Sequence, residues 1–91
     1  MQSKRVIFEG RVQGVGFRYA TKEIACGFEV CGWVKNLNDG SVEMQVMGED
    51  EEVEEFLKHI TEESPISHHI KNLIVENIPP LENVVGFRIT S

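Results

Sequence analysis

Val6-Ile7-Phe8-Glu9-Gly10-Arg11-Val12-Gln13-Gly14-Val15-Gly16-Phe17-Arg18-Tyr19 changes its period partway along. Around Arg5 to Gly10 the alternation is that of a strand, with Val6 and Phe8 on one face and Ile7 on the other. Beyond the spaced glycines, Phe17, Ala20, Ile24 and Phe28 recur at helical spacing, which predicts a helix from Phe17 to about Cys26 with Gly27 as its terminator. A glycine-rich turn between a strand and a helix gathers backbone N–H groups that lack internal partners. Arg18 adds a planar fork of donors suited to phosphate oxygens. A structural arginine would usually sit in the last helical turn, where the macrodipole favours a cation; at the start of a helix it suits an anion site.

Outward from this stretch the periods alternate again. Val30 to Leu37 is expected as a second strand and Ser41 to Met47 as a third, with Val42, Met44 and Val46 inward and Asn38-Asp39-Gly40 as the hairpin turn between them. Glu49 to Ile60 predicts a second helix on the stripe Val53, Phe56, Leu57 and Ile60, with Glu54 and Lys58 at pairing distance. Its acids crowd the first turns, where the macrodipole favours them. Ser64-Pro65 closes that region, His69 to Glu76 forms a fourth strand, and Val84 to Ile89 a short fifth, with Val85, Phe87 and Ile89 alternating. The order β-α-β-β-α-β plus a short terminal strand implies an α+β split-βαβ sandwich, an antiparallel sheet with two helices on one face. With 91 residues there is room for a single domain, 1–91.

Composition excludes several function classes. No apolar stretch is long enough to span a bilayer and no signal-peptide pattern precedes the first strand, so a cytoplasmic protein with no membrane partner is expected. Net charge of −6 argues against nucleic-acid binding. The charge is uneven, with six cations against three acids in residues 1–35 and three against twelve beyond them, which favours a small anion near the first part. Cys26 and Cys31 are too far apart for a C-x-x-C motif and are expected as buried, reduced thiols. His68 and His69, adjacent in an expected strand, would face opposite ways and share no metal.

The glycine loop has the spacing G-x-x-x-G-x-G with no Lys-Ser or Lys-Thr pair behind it, so it is neither a Walker A loop nor a dinucleotide fingerprint. Gly32-Trp33-Val34-Lys35-Asn36 ends the second strand, and two readings of Asn36 stand. The amide caps the hairpin turn, which spacing alone favours, or it orients a water from a rigid strand. Strand one's end and the helix N-terminus would lie near that strand in this topology, bringing Arg18 and Asn36 within one constellation. No Ser or Cys is paired with a His, and the acids from Glu49 to Glu55 resemble a solvated helix face. An enzyme built from this set works on a phosphate that is already activated, with no metal, cofactor or covalent intermediate.

Val12-Gln13-Gly14-Val15-Gly16-Phe17-Arg18, then Gly32-Trp33-Val34-Lys35-Asn36, then Asp39-Gly40-Ser41-Val42, resembles the small single-domain acylphosphatases over nearly the whole chain. Lys35 stands where arginine is common in that family. The resemblance implies a ferredoxin-like fold and hydrolysis of a carboxyl-phosphate anhydride to a carboxylate and inorganic phosphate. It implies that Val12, Gln13, Gly14, Val15, Gly16 and Phe17 offer backbone donors to the phosphoryl oxygens, that Arg18 binds the same group, and that Asn36 holds the attacking water. Inorganic phosphate would be product and inhibitor, and a monomer suffices. The other readings are a non-catalytic phosphate- or carbamoyl-phosphate-binding module of the same fold, as occurs at the front of hydrogenase-maturation proteins, and a ferredoxin-like RNA-binding domain, which the charge and the lack of paired surface aromatics disfavour.

Overall fold

A computed structural model describes residues 1–90. The chain runs β1 (Gln2–Gly10), α1 (Phe17–Ala25), β2 (Val30–Asn36), β3 (Val42–Gly48), α2 (Asp50–Lys58), a π-helical turn (His59–Glu63), a 3₁₀ turn (Pro65–His69), β4 (Ile70–Asn77) and β5 (Phe87–Ile89). Strand order across the sheet is β4-β1-β3-β2-β5. The expected α+β ferredoxin-like sandwich is present, with its four main strands antiparallel to their neighbours. One feature departs from it. β5 joins β2 in parallel, so the sheet is mixed. An edge strand so short is placed by where its connection can reach, which local periodicity does not encode.

Val6, Phe8, Val34, Val42, Met44 and Val46 share one sheet face and have no exposed surface. They form one cluster with Phe17 and Ala25 of α1, Val53 and Phe56 of α2, and Ile60, which puts both helices on that face. The α2 stripe is close to that expected, whereas α1 buries Phe17, Thr21 and Ala25 and leaves the expected Ala20, Ile24 and Phe28 only partly buried against the core. Thr21 is fully buried on α1, its hydroxyl satisfied by donation to the Phe17 carbonyl at 2.8 Å. Helix-internal back-bonding lets a threonine serve as a core residue, so its polarity misleads a sequence reading.

Other local expectations are corrected. Cys26 is exposed because the core position at this helix end is taken by Ala25, and Cys31 is half-buried on the face of β2 opposite the buried Val34; both are free thiols. Glu54 accepts from Gln2 Nε2 at 3.1 Å instead of pairing with Lys58. His68 and His69 lie in the 3₁₀ turn and not at the head of β4. Past Lys58, the second helix widens into a π turn closed by Ser64 N–H to the His59 carbonyl at 2.8 Å. Pro65 forces that ending, since the residue before a proline is driven out of the α region, and Ser64 has ψ 158°. Val85 is exposed and precedes β5.

Candidate active site

β1 and β2 run in the same direction on either side of β3, so Phe8 and Asn36 both stand opposite Val42. The chain leaving β1 therefore emerges at the same end of the sheet as Asn36, two strand spacings or about 10 Å away. Asn36 lies on the face of Val34, which is buried beneath the helices, and α1 begins over that face. A tight turn is imposed at Gly10, with φ +133°, where a Cβ would collide with the His69 carbonyl; Arg11 N–H donates to that same oxygen at 3.0 Å.

Between Gly10 and α1, apolar anchors alternate with bare backbone. Val12 and Phe17 are each 1% exposed and Val15 packs against the core. Gly14 and Gly16 are exposed at φ +79° and +78°, with no atom within 4 Å of where a Cβ would stand. Left-handed backbone is what glycine tolerates at little cost, and here it turns the peptide planes outward toward open space. Among the described residues, the main-chain N–H groups from Val12 through Tyr19 donate to no protein acceptor; the first helical bond runs from Ala20 to the Gly16 carbonyl at 3.0 Å. These donors and the positive end of α1 make an anion cradle.

The two helices differ in their first turns in a way that fits this. α2 opens on Asp50, Glu51 and Glu52, whereas α1 has no acid in its first turn and carries Arg18 there. A cation beside a helix N-terminus is electrostatically unfavourable, so α1 is left without the stabilisation α2 enjoys. Arg18 is half-buried and belongs to no ion pair among the described residues. Both features favour negative charge at this end of α1.

Asn36 presents the opposite anomaly. Its Oδ1 is buried without a hydrogen-bond partner, the only buried side-chain polar atom so left among the described residues. An unpaired buried acceptor costs about 1–3 kcal/mol, and such groups concentrate where function needs them. The turn-capping reading of Asn36 is not what the hairpin uses. Asp39 does that work, its Oδ1 accepting from Ser41 N at 3.0 Å and Ser41 Oγ at 2.5 Å. Those bonds, the hydroxyl's first, hold the Asp39 carboxyl below its ordinary range.

Gln13 has a part beyond the backbone donor expected of it. Its Nε2 donates to the Leu37 and Ser41 carbonyls, both at 2.8 Å, and so fastens the loop to the hairpin that follows Asn36. A lone long amide among the glycines and valines of 12–16 was the available signal for this clamp.

The acylphosphatase family model matches residues 4–89. An acylphosphatase of Bacillus pumilus is 42% identical over 83 residues, covering 91% of each chain. The crystal structure of acylphosphatase from Bacillus subtilis superposes with a TM-score of 0.89 at 36% identity, over 100% of both chains. The crystal structure of T. kodakarensis HypF matches with a TM-score of 0.85 at 32% identity, but this chain covers only 12% of it. With its family model spanning nearly every residue and whole-length relatives of the same kind, the chain belongs to the acylphosphatase family, hydrolases of acyl phosphates.

Proposed function

We propose that the whole chain acts as one catalytic domain in which the loop Val12–Phe17 and Arg18 hold the phosphoryl group of an acyl phosphate while Asn36 aims the attacking water in line. The observation that carries this reading is the run of main-chain N–H groups from Val12 through Tyr19 that, among the described residues, donate to no protein acceptor, together with an arginine in no ion pair among them. Phosphoryl transfer is mostly positioning and electrostatic stabilisation, and aimed donors contribute about 3 kcal/mol each in a partly desolvated site. The carboxylate leaves readily, so no general acid is required. The water's proton passes to the substrate phosphate, which accounts for a site with no side-chain base. The guanidinium and amides supply the positive charge that a divalent ion gives other phosphoryl-transfer sites, so turnover needs no metal.

Inorganic phosphate fits the same cradle and acts as a competitive inhibitor. Each chain carries the full set of groups, so turnover requires no second copy and no nucleic acid. The exposed free thiol of Cys26 suits a reducing cytoplasm. No helix among the described residues is long and apolar enough to cross a membrane.

Hydrolysis of benzoyl phosphate with excess chelator tests the reading. Turnover is expected to persist, to fall at least a hundredfold in Arg18→Ala with phosphate affinity lost, and to fall comparably in Asn36→Ala with phosphate inhibition kept. Phosphate binding by the parent chain without turnover would return the binding-module reading. Parental rates in Arg18→Ala would remove the arginine from the site.

A further inference from the structure

β4 closes one side of the sheet, and no strand among the described residues pairs with its outer edge. Leu73, Ile74 and Val75 are 38%, 45% and 43% exposed, side by side on that edge. The chain after β4 does not return to cover them. Ile78 and Pro80 line a cleft with Met1 and Met47 at the end of the sheet, and the next strand, β5, lies on the opposite edge beside β2.

The hydrogen-bond phase of this edge follows from its bonds to β1. Ile78 N–H donates to the Ser3 carbonyl at 3.1 Å, which makes Ser3 and Ile78 a bonded pair in the β1–β4 register. Alternation then turns the N–H and C=O of Asn72, Ile74 and Glu76 toward β1 and those of Leu73 and Val75 outward. The pairing shifts by one residue between Glu9 and Gly10, which leaves Lys71 as the extra residue of a bulge. Pro79 and Pro80 end the strand's other side. The flat, unpaired template is therefore Asn72-Leu73-Ile74-Val75-Glu76.

That template reads the same way in both directions as polar, apolar, apolar, apolar, polar. We propose that it pairs with itself: the β4 edges of two copies of this chain meet antiparallel about a two-fold axis at Ile74, continuing the sheet from one molecule into the next. In this register Leu73 and Val75 of one copy exchange main-chain bonds with Val75 and Leu73 of the other, Ile74 faces Ile74, and Asn72 faces Glu76. Shifting by one step in either direction sets Glu76 against Ile70 or Ile74, so polarity selects a single register. Like charges do not meet, and Glu76 enters already paired with Arg5 at 2.8 Å. Five residues a side is a small interface, so the pair is transient and concentration-dependent. The pairing goes beyond the catalytic reading and does not rest on it.

The tests use the full chain with Cys26→Ser and Cys31→Ser. Sedimentation mass is expected to rise from 10.3 kDa toward twice that value as concentration increases over roughly a hundredfold range. Ile74→Cys should oxidise to a covalent dimer, because an unbonded antiparallel pair sets its Cα atoms about 4.5 Å apart, within disulfide range. Leu73→Cys should not, since its counterpart is a diagonal neighbour about 7–8 Å away. Val75→Pro removes an outward N–H without touching the β1 ladder and should sediment as a single chain with unchanged benzoyl phosphate turnover; Val75→Lys makes the same test by placing charge against Leu73. A mass that stays at one chain at every concentration, equal cross-linking by Leu73→Cys, or folded and active Val75 variants that still pair would each overturn the proposal.

Discussion

Gln13 shows how much of the site hangs on one side chain. Val12, Val15 and Phe17 hold the loop to the core, but among the described residues the Gln13 amide alone hydrogen-bonds it to the hairpin following Asn36. Truncating it leaves two hairpin carbonyls without those donors, at about 1 kcal/mol for each bond. Because a misplacement of about 1 Å can cost a hundredfold in rate, Gln13→Ala is expected to lower kcat by roughly ten- to a hundredfold. Phosphate inhibition should change far less, since the loop's own donors remain. A kcat within twofold of the parent would show that loop and hairpin keep their register without the clamp.

At the scale of elements, the turn of the β2–β3 hairpin carries a pH-sensitive contact. The Asp39 carboxylate accepts both the hydroxyl and the amide of Ser41, and its folded pKa lies below the ordinary value of 3.8. A carboxyl with a depressed folded pKa contributes fully above its unfolded value, and the contribution disappears as pH falls through the folded one. Asp39→Asn should therefore lower the urea midpoint at about pH 6, with the difference from the parent shrinking steadily below pH 3.8. A difference that stays constant into acid would assign the effect to turn geometry instead of charge. Arg5 sits 2.7 Å from Glu43 and 2.8 Å from Glu76, the Glu43 bond first in raising its pKa, and it stays charged throughout this range.

For the whole molecule, aromatic rings join parts that the chain separates. Phe8 of β1 meets Phe17 of α1 at 4.9 Å, so the loop's far anchor is seated on the strand that launches it. Phe56 of α2 meets Phe28 and Phe87, both at 5.7 Å, and so links the second helix to the end of the first and to the parallel edge strand. Phe56→Ala is expected to cost about 3–5 kcal/mol, a large share of a small domain's stability. Urea unfolding measures this, and a loss under about 1 kcal/mol would mean the core closes over the gap.

Strand and helix periods, the glycine turn and the Asn38–Gly40 hairpin are local properties, so the sandwich and the position of the cradle could be read from residue order. Arg18 and Asn36 were legible as candidates for the same reason: one opens a helix after a glycine turn, and the other ends a strand. Through-space partners left no such trace. Thr21 in the core, Gln13 across the loop, Cys26 in solvent and β5 in parallel each depend on which distant segment arrives alongside, a matter of packing and strand order. The unpaired Asn36 oxygen belongs to that set too, because only the assembled neighbourhood shows that no described residue satisfies it. Residue order determined which donors and acceptors the candidate site has; the tertiary structure decided which were left unspent, since a hydrogen bond is consumed or spared only once both ends have been brought into place.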